Sequence, residues 1–118
     1  MSEPILDCPV PHPPGERVLL AHGEGARLTR QLIRTVLLDA FANEHLQPLG
    51  DGATIPPIDG SVVISTDSYV VSPLFFPGGD IGALAVHGTI NDLAVCGAVP
   101  LYLTLGMIIE EGLPIETL

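Results

Sequence analysis

The chain has 118 residues, 47% of them hydrophobic and only 15% charged, so it is long enough for one domain and too apolar to stay disordered. Fourteen acidic residues stand against four arginines and no lysine, a net charge of −10. That balance excludes non-specific nucleic-acid binding and attraction to an anionic membrane, both of which need cationic side chains, and the apolar excess predicts surface that another domain or subunit covers.

Residues 1–16 are Pro-rich (Pro4, Pro9, Pro11, Pro13, Pro14), lack apolar periodicity and predict an extended, poorly ordered arm. Residues 17–20 form a short strand candidate, and His22-Gly23-Glu24-Gly25-Ala26 a glycine-rich loop. From Arg27 onward, Leu28, Leu32, Val36 and Ala40, flanked by Ile33, Leu37 and Phe41, fall at helical spacing. Gly50-Asp51-Gly52 predicts a turn. Residues 53–58 are a strand candidate weakened by Pro56 and Pro57, Asp59-Gly60 is a hairpin signal, and residues 61–66 read as a β-branched strand ending at Asp67. Residues 73–79 are expected to be a loop carrying Phe75 and Phe76. Asp80 then caps a helix over 81–96, rich in small residues and closed by Gly97. Residues 101–109 predict a strand, and 110–118 a loop opening a further helix with Pro114 in its first turn. The order β-α-β-β-α-β is an α+β pattern.

Cys8 and Cys96 make no disulfide framework and read as free thiols of a reducing compartment. No signal peptide is visible, and the longest uncharged run is too short and too broken by Gly and Pro to span a bilayer, so the cytoplasm is the expected location.

Four aspartates, Asp51, Asp67, Asp80 and Asp92, sit beside glycines or at element ends. Carboxylates in such places suit Mg²⁺, which prefers hard oxygen ligands, and each also fits a turn or cap on its own. Without lysine, such an ion would be the main means of neutralising a triphosphate. The Gly23-Glu24-Gly25 loop before a helix can present N–H groups to a phosphate, and serves equally as a tight turn, with Glu24 placing a negative charge against an anion. No His/Cys cluster has zinc spacing. His87 and Asn91 share one helix face and read first as a polar pair of a core or interface. No Ser-His-Asp or Cys-His arrangement is evident.

The run Ser65-Thr66-Asp67-Ser68-Tyr69-Val70-Val71-Ser72-Pro73-Leu74-Phe75-Phe76-Pro77-Gly78-Gly79-Asp80-Ile81-Gly82 strongly resembles the HypE family of hydrogenase expression/formation proteins. Gly88-Thr89-Ile90-Asn91-Asp92-Leu93-Ala94-Val95-Cys96-Gly97-Ala98 and Ile109-Glu110-Glu111-Gly112-Leu113-Pro114 continue the match, and Leu20-Ala21-His22-Gly23 is similar to the family's start. The resemblance implies a superfamily shared with aminoimidazole ribonucleotide synthetase, selenophosphate synthetase and thiamine monophosphate kinase. It implies an α+β, PurM-like N-terminal domain with a mixed or antiparallel sheet, helices on one face, and strands contributing to a homodimeric β-barrel-like interface. The implied activity is ATP-dependent dehydration of a carbamoyl group on a C-terminal Cys to thiocyanate, the cyanide source for [NiFe]-hydrogenase iron. The implied cofactors are ATP and Mg²⁺, and the implied partners are a second copy, the carbamoyltransferase HypF and the HypC–HypD scaffold.

Carried over residue by residue, the resemblance assigns Asp51, Asp67 and Asp92 to the metal. It assigns His22, Gly23, Gly25, Asp67, Asp80 and Asn91 to the nucleotide. Ala83 stands where the family often has Lys, and Glu24 and Ala26 interrupt the glycines of the first loop. The chain ends at Leu118 without the family's C-terminal domain and terminal Cys. Residues 17–118 therefore read as a truncated AIR synthetase-related N-terminal domain, inactive alone. Two alternatives stay open: a non-catalytic dimerisation module, and a sister ATP-dependent enzyme such as selenophosphate synthetase.

Overall fold

The computed structural model describes residues 16–118; the arm expected over 1–16, apart from Glu16, and Cys8 lie outside the described residues. The chain divides into two units, one of residues up to Ile55 together with Met107–Leu118, the other of Pro56–Gly106.

In the first unit the helix predicted from Arg27 is present. It runs as α1 (Arg27–Leu32), a π-helical stretch (Ile33–Leu37) and α2 (Leu38–Phe41), continuous in sequence. The π register is marked by the Leu38 amide donating to the Ile33 carbonyl. Leu32, on the apolar stripe, is buried, as is Val18. Residues around Val18 are tied to the far end of the sequence. The Val18 amide donates to Leu113 O at 2.8 Å, the Gly112 amide to Val18 O at 2.7 Å, and Arg17 bridges Pro114 in antiparallel sense. The strand expected over 17–20 is thus a single bridge, after which Leu20–Gly23 coils into a 3₁₀ turn. Pro114 N-caps a second 3₁₀ turn, Ile115–Thr117, where a further helix was expected to open.

In the second unit the expected 73–79 loop contains a hairpin. β1 (Phe75–Phe76) pairs antiparallel with β2 (Gly79–Asp80), Phe75 opposite Asp80 and Phe76 opposite Gly79. Pro77-Gly78 forms its turn, and Gly78 has φ +95°, which a side chain would resist. The hairpin leads directly into α3 (Ile81–Val95). Asp80 is extended and its side chain accepts the Ala83 amide at 2.8 Å, the capping predicted from sequence. The helix closes on Gly97 at φ +70°, with Gly97 N–H on Ala94 O and Ala98 N–H on Leu93 O, the paired bonds of a Schellman end.

The strands expected over 53–58, 61–66 and 101–109 are not formed: among the described residues these segments have no ladder partner, and β1 and β2 are the whole sheet. Gly60 does turn with φ +98°, but no hairpin closes across it. A strand exists only as one of a pair, and these segments leave apolar side chains exposed, Ile64 at 84% and Leu101 at 62% among them. The described fold is therefore helices with one small antiparallel sheet, and the larger mixed sheet is not built within it.

Candidate functional site

The extended segment 65–69 meets α3 through two side-chain contacts. Ser65 Oγ donates to Asp92 Oδ2 at 3.2 Å. Two residues beyond Asp67, the Tyr69 hydroxyl donates to Asp67 Oδ2 at 3.1 Å. The Tyr69 ring lies on the helix at Gly88, one turn before Asp92. A methyl group built there would come within 2.7 Å of Cζ and 2.9 Å of Cε1, so only glycine admits the ring. Ser65 and Tyr69 thus bracket Asp67 and register it against the helix that carries Asp92. Both carboxylates are exposed, and each has one oxygen occupied by a neutral hydroxyl donor.

Exposed carboxylates of this kind suit a hard cation. Mg²⁺ keeps several waters and is commonly bound through one or two carboxylates plus substrate phosphates, not by an all-protein cage. Among the described residues no group of three His, Cys, Asp or Glu side chains gathers to hold an ion unaided. Two carboxylates, each with a second oxygen, fit an ion whose remaining ligands are water and phosphate.

The other predicted site residues fall into separate settings. Asp80 caps α3, and the oxygen bound to Ala83 N is committed to the helix. Asn91 is exposed on α3 next to Asp92, and its side-chain amide has no hydrogen bond among the described residues. His87 is exposed as well, so the His87/Asn91 pair does not lie in a core. Asp51 is exposed at a bend in the first unit. Also in that unit, His22 Nδ1 accepts the Leu19 amide at 2.8 Å, closing the 3₁₀ turn. Thr29 Oγ1 donates to His22 O at 2.6 Å and accepts the Gly25 amide at 3.0 Å. The loop is therefore folded back on α1. The Gly25 N–H is satisfied internally, whereas Gly23 has open space around it.

Sequence reasoning did not single out Ser65, Tyr69 or Gly88 as members of the site. The available signals were a tyrosine two residues from a candidate ligand and a glycine four residues before another, in a helix where glycine costs about 1 kcal/mol relative to alanine. No helix among the described residues is long and apolar enough to cross a membrane.

Comparison with known proteins gives the family of the chain. The chain is 54% identical to the carbamoyl dehydratase HypE of Rhizobium leguminosarum bv. viciae over 102 residues, 86% of this chain and 29% of that protein. It is 51% identical to the HypE of Escherichia coli strain K12 over 106 residues, 86% of this chain and 32% of that one. A crystal structure of hydrogenase maturation protein HypE in complex with ATP matches with a TM-score of 0.61 and 50% identity, over 64% of this chain and 22% of that one. The chain thus spans about a third or less of the length of these relatives. The family model for the AIR synthase related protein, N-terminal domain, matches residues 50–118, which include Asp51, Asp67, Asp80, Asn91 and Asp92 but not the loop at His22–Gly25. That is more than half of the chain, and the chain belongs to the AIR synthase related protein family through this N-terminal domain.

Proposed function

We propose that the chain is the ATP- and Mg²⁺-binding N-terminal portion of a HypE-type carbamoyl dehydratase, acting in [NiFe]-hydrogenase maturation. The observation that supports this reading is the junction of residues 65–69 with α3, where Ser65 donates to Asp92, Tyr69 donates to Asp67, and the Tyr69 ring lies against the helix at Gly88. Similarity to a HypE structure in complex with ATP supports the nucleotide. When bound, ATP·Mg²⁺ supplies the phosphoryl group that turns a carbamoyl oxygen into a leaving group. The net change converts a thiol-borne carbamoyl group and ATP into thiocyanate, ADP and phosphate.

The chain's own residues bind and orient. Asp67 and Asp92 offer oxygens to the ion, and Ser65 and Tyr69 restrict the two carboxylates. Asn91, beside Asp92, offers an amide to nucleotide or metal-bound water. Asp51, His22 and Gly23 belong to the reading through family resemblance and are tested variant by variant. The thiol that carries the substrate and the partners HypF and HypC–HypD belong to the proposed full-length role.

Calorimetric titration with ATP, with and without Mg²⁺, tests the reading. Binding is expected to require Mg²⁺, and Asp67→Asn and Asp92→Asn are each expected to weaken it about tenfold or more, since each removes one charged ligand. Equal binding by both variants would overturn the metal assignment.

A second role in homodimerisation has its own support. Val62, Ile64, Leu101, Leu103, Leu105 and Ile108 lie exposed on segments whose backbones lack ladder partners among the described residues. Pairing such segments between two copies would satisfy the backbone and bury apolar surface worth roughly 25 cal/mol per Å² before association costs.

A further inference from the structure

The continuous helix from Arg27 to Phe41 carries three of the four arginines of the chain, Arg27, Arg30 and Arg34. Their spacing of three and four residues puts them on one face, about 10 Å from first to last at 1.5 Å per residue. With Gln31 and Thr35 they line an open concavity of about 450 Å³. All five lining residues are exposed, whereas Leu32 is buried. Arg17, the fourth arginine, donates to Gly112 O at 2.6 Å. The guanidinium groups of Arg27, Arg30 and Arg34, by contrast, have no hydrogen bond or ion pair among the described residues. In a chain with fourteen acidic residues, this segregation leaves one cationic stripe on an acidic protein.

The lining supplies cationic and amide donors and no carboxylate. Thr35 turns its hydroxyl back to the Gln31 carbonyl at 2.9 Å. None of the three guanidinium groups is buried or pinned, so a single small anion would have to order several long side chains by itself. A surface bearing several carboxylates at matching spacing engages all three guanidiniums at once and excludes water around them. Charges beyond about 8–10 Å are largely screened at physiological salt, so the acidic remainder of the chain does not cancel a local complement.

We propose that this stripe is a docking surface for an acidic segment of a partner protein, one presenting carboxylates three and four residues apart on a helix face. The interaction is separate from the nucleotide reading and does not depend on it.

Fluorescence anisotropy on the full chain tests it. The probe is a labelled helix-forming peptide with glutamates at that spacing, and the control is the same peptide with glutamines. The glutamate peptide is expected to bind, and to bind less tightly as salt is raised. Arg30→Glu is expected to weaken it about tenfold, because one attraction becomes a repulsion, and Arg30→Lys only about threefold or less. Arg34→Glu repeats the test at a second exposed position, and circular dichroism verifies folding of each variant. Equal affinity for the glutamine peptide, or unchanged affinity in both charge-reversal variants, would overturn the proposal. So would displacement of the peptide by inorganic pyrophosphate at equal concentration, which would mark a small-anion site. Salt-sensitive self-association lost in Arg30→Glu would also overturn it, by assigning the stripe to a second copy.

Discussion

Replacing Gly88 by alanine puts a methyl group where the Tyr69 ring lies. The new carbon would stand 2.7 Å from Cζ and 2.9 Å from Cε1. Carbon atoms settle at about 3.5–4.0 Å, so the ring must retreat by about 0.8 Å or more. Two stability effects oppose each other. Alanine gains about 0.8–1 kcal/mol of helix propensity, while overpacking costs about 1–3 kcal/mol. Tyr69 is only half-buried and can swing outward, so the lower part of that cost applies and the net change is about 0–1 kcal/mol. The consequence for the site is larger. A ring displaced from Gly88 withdraws its hydroxyl from Asp67; the bond is solvent-exposed, so its loss adds little to the stability change, but the carboxylate loses the donor that fixes its orientation. On the proposed reading, Mg²⁺-dependent ATP affinity should therefore fall about tenfold with little change in the urea midpoint. Titration calorimetry reads the first and urea denaturation the second. Tyr69→Phe, which keeps the ring and removes the donor, should lose affinity with no clash. A Gly88→Ala variant about 1 kcal/mol more stable and binding Mg²⁺·ATP unchanged would refute the seating of Tyr69 on α3 as a determinant of the site.

The remaining predictions concern other parts of the molecule. Asp80→Ala should lower stability by about 1 kcal/mol in urea denaturation through loss of the bond to Ala83 N–H, and Asp80→Asn, which retains a capping oxygen, should recover most of it. If Asp80 acts on the nucleotide as well, both substitutions should weaken ATP binding beyond what stability explains, measured by the same titration. On the homodimer proposal, Leu103→Glu, which places a charge on one of the exposed extended segments, should shift sedimentation toward monomer. An unchanged sedimentation coefficient would exclude that segment from a dimer contact.

The sequence made the local elements legible where one residue type decides the backbone. Asp80 before an uninterrupted helical run is a cap, and Gly97 after it takes a positive φ, whatever the rest of the molecule does. The 27–41 helix was legible from its apolar spacing, though its π stretch was not, because spacing alone does not distinguish i→i+4 from i→i+5 bonding. The hairpin at Phe75–Asp80 was missed because its strands are two residues long and Pro77-Gly78 reads as part of an ordinary loop. The strands predicted over 61–66 and 101–109 have the right composition, but composition reports only readiness to pair. Those segments have no partner among the described residues, so β-branched content was mistaken for a formed sheet.

The same distinction applies to the candidate site. Aspartate positions were visible as residues suited to a hard cation, but their alternatives as caps and turns could be separated only by their hydrogen bonds. Asp80 commits an oxygen to a backbone amide in the cap of α3, whereas Asp67 accepts a hydroxyl from its own segment and Asp92 accepts one from the segment across from its helix. A cap serves its own helix, but a carboxylate oriented by a neutral donor keeps its full charge and a second oxygen for something outside the chain. On the proposed reading, in a protein without lysine, these two exposed carboxylates make a cation the physically simplest bridge to a triphosphate. The dependence of Asp67 on Tyr69 seated at Gly88, and of Asp92 on Ser65, gives that reading a structural cause that can be removed one atom group at a time.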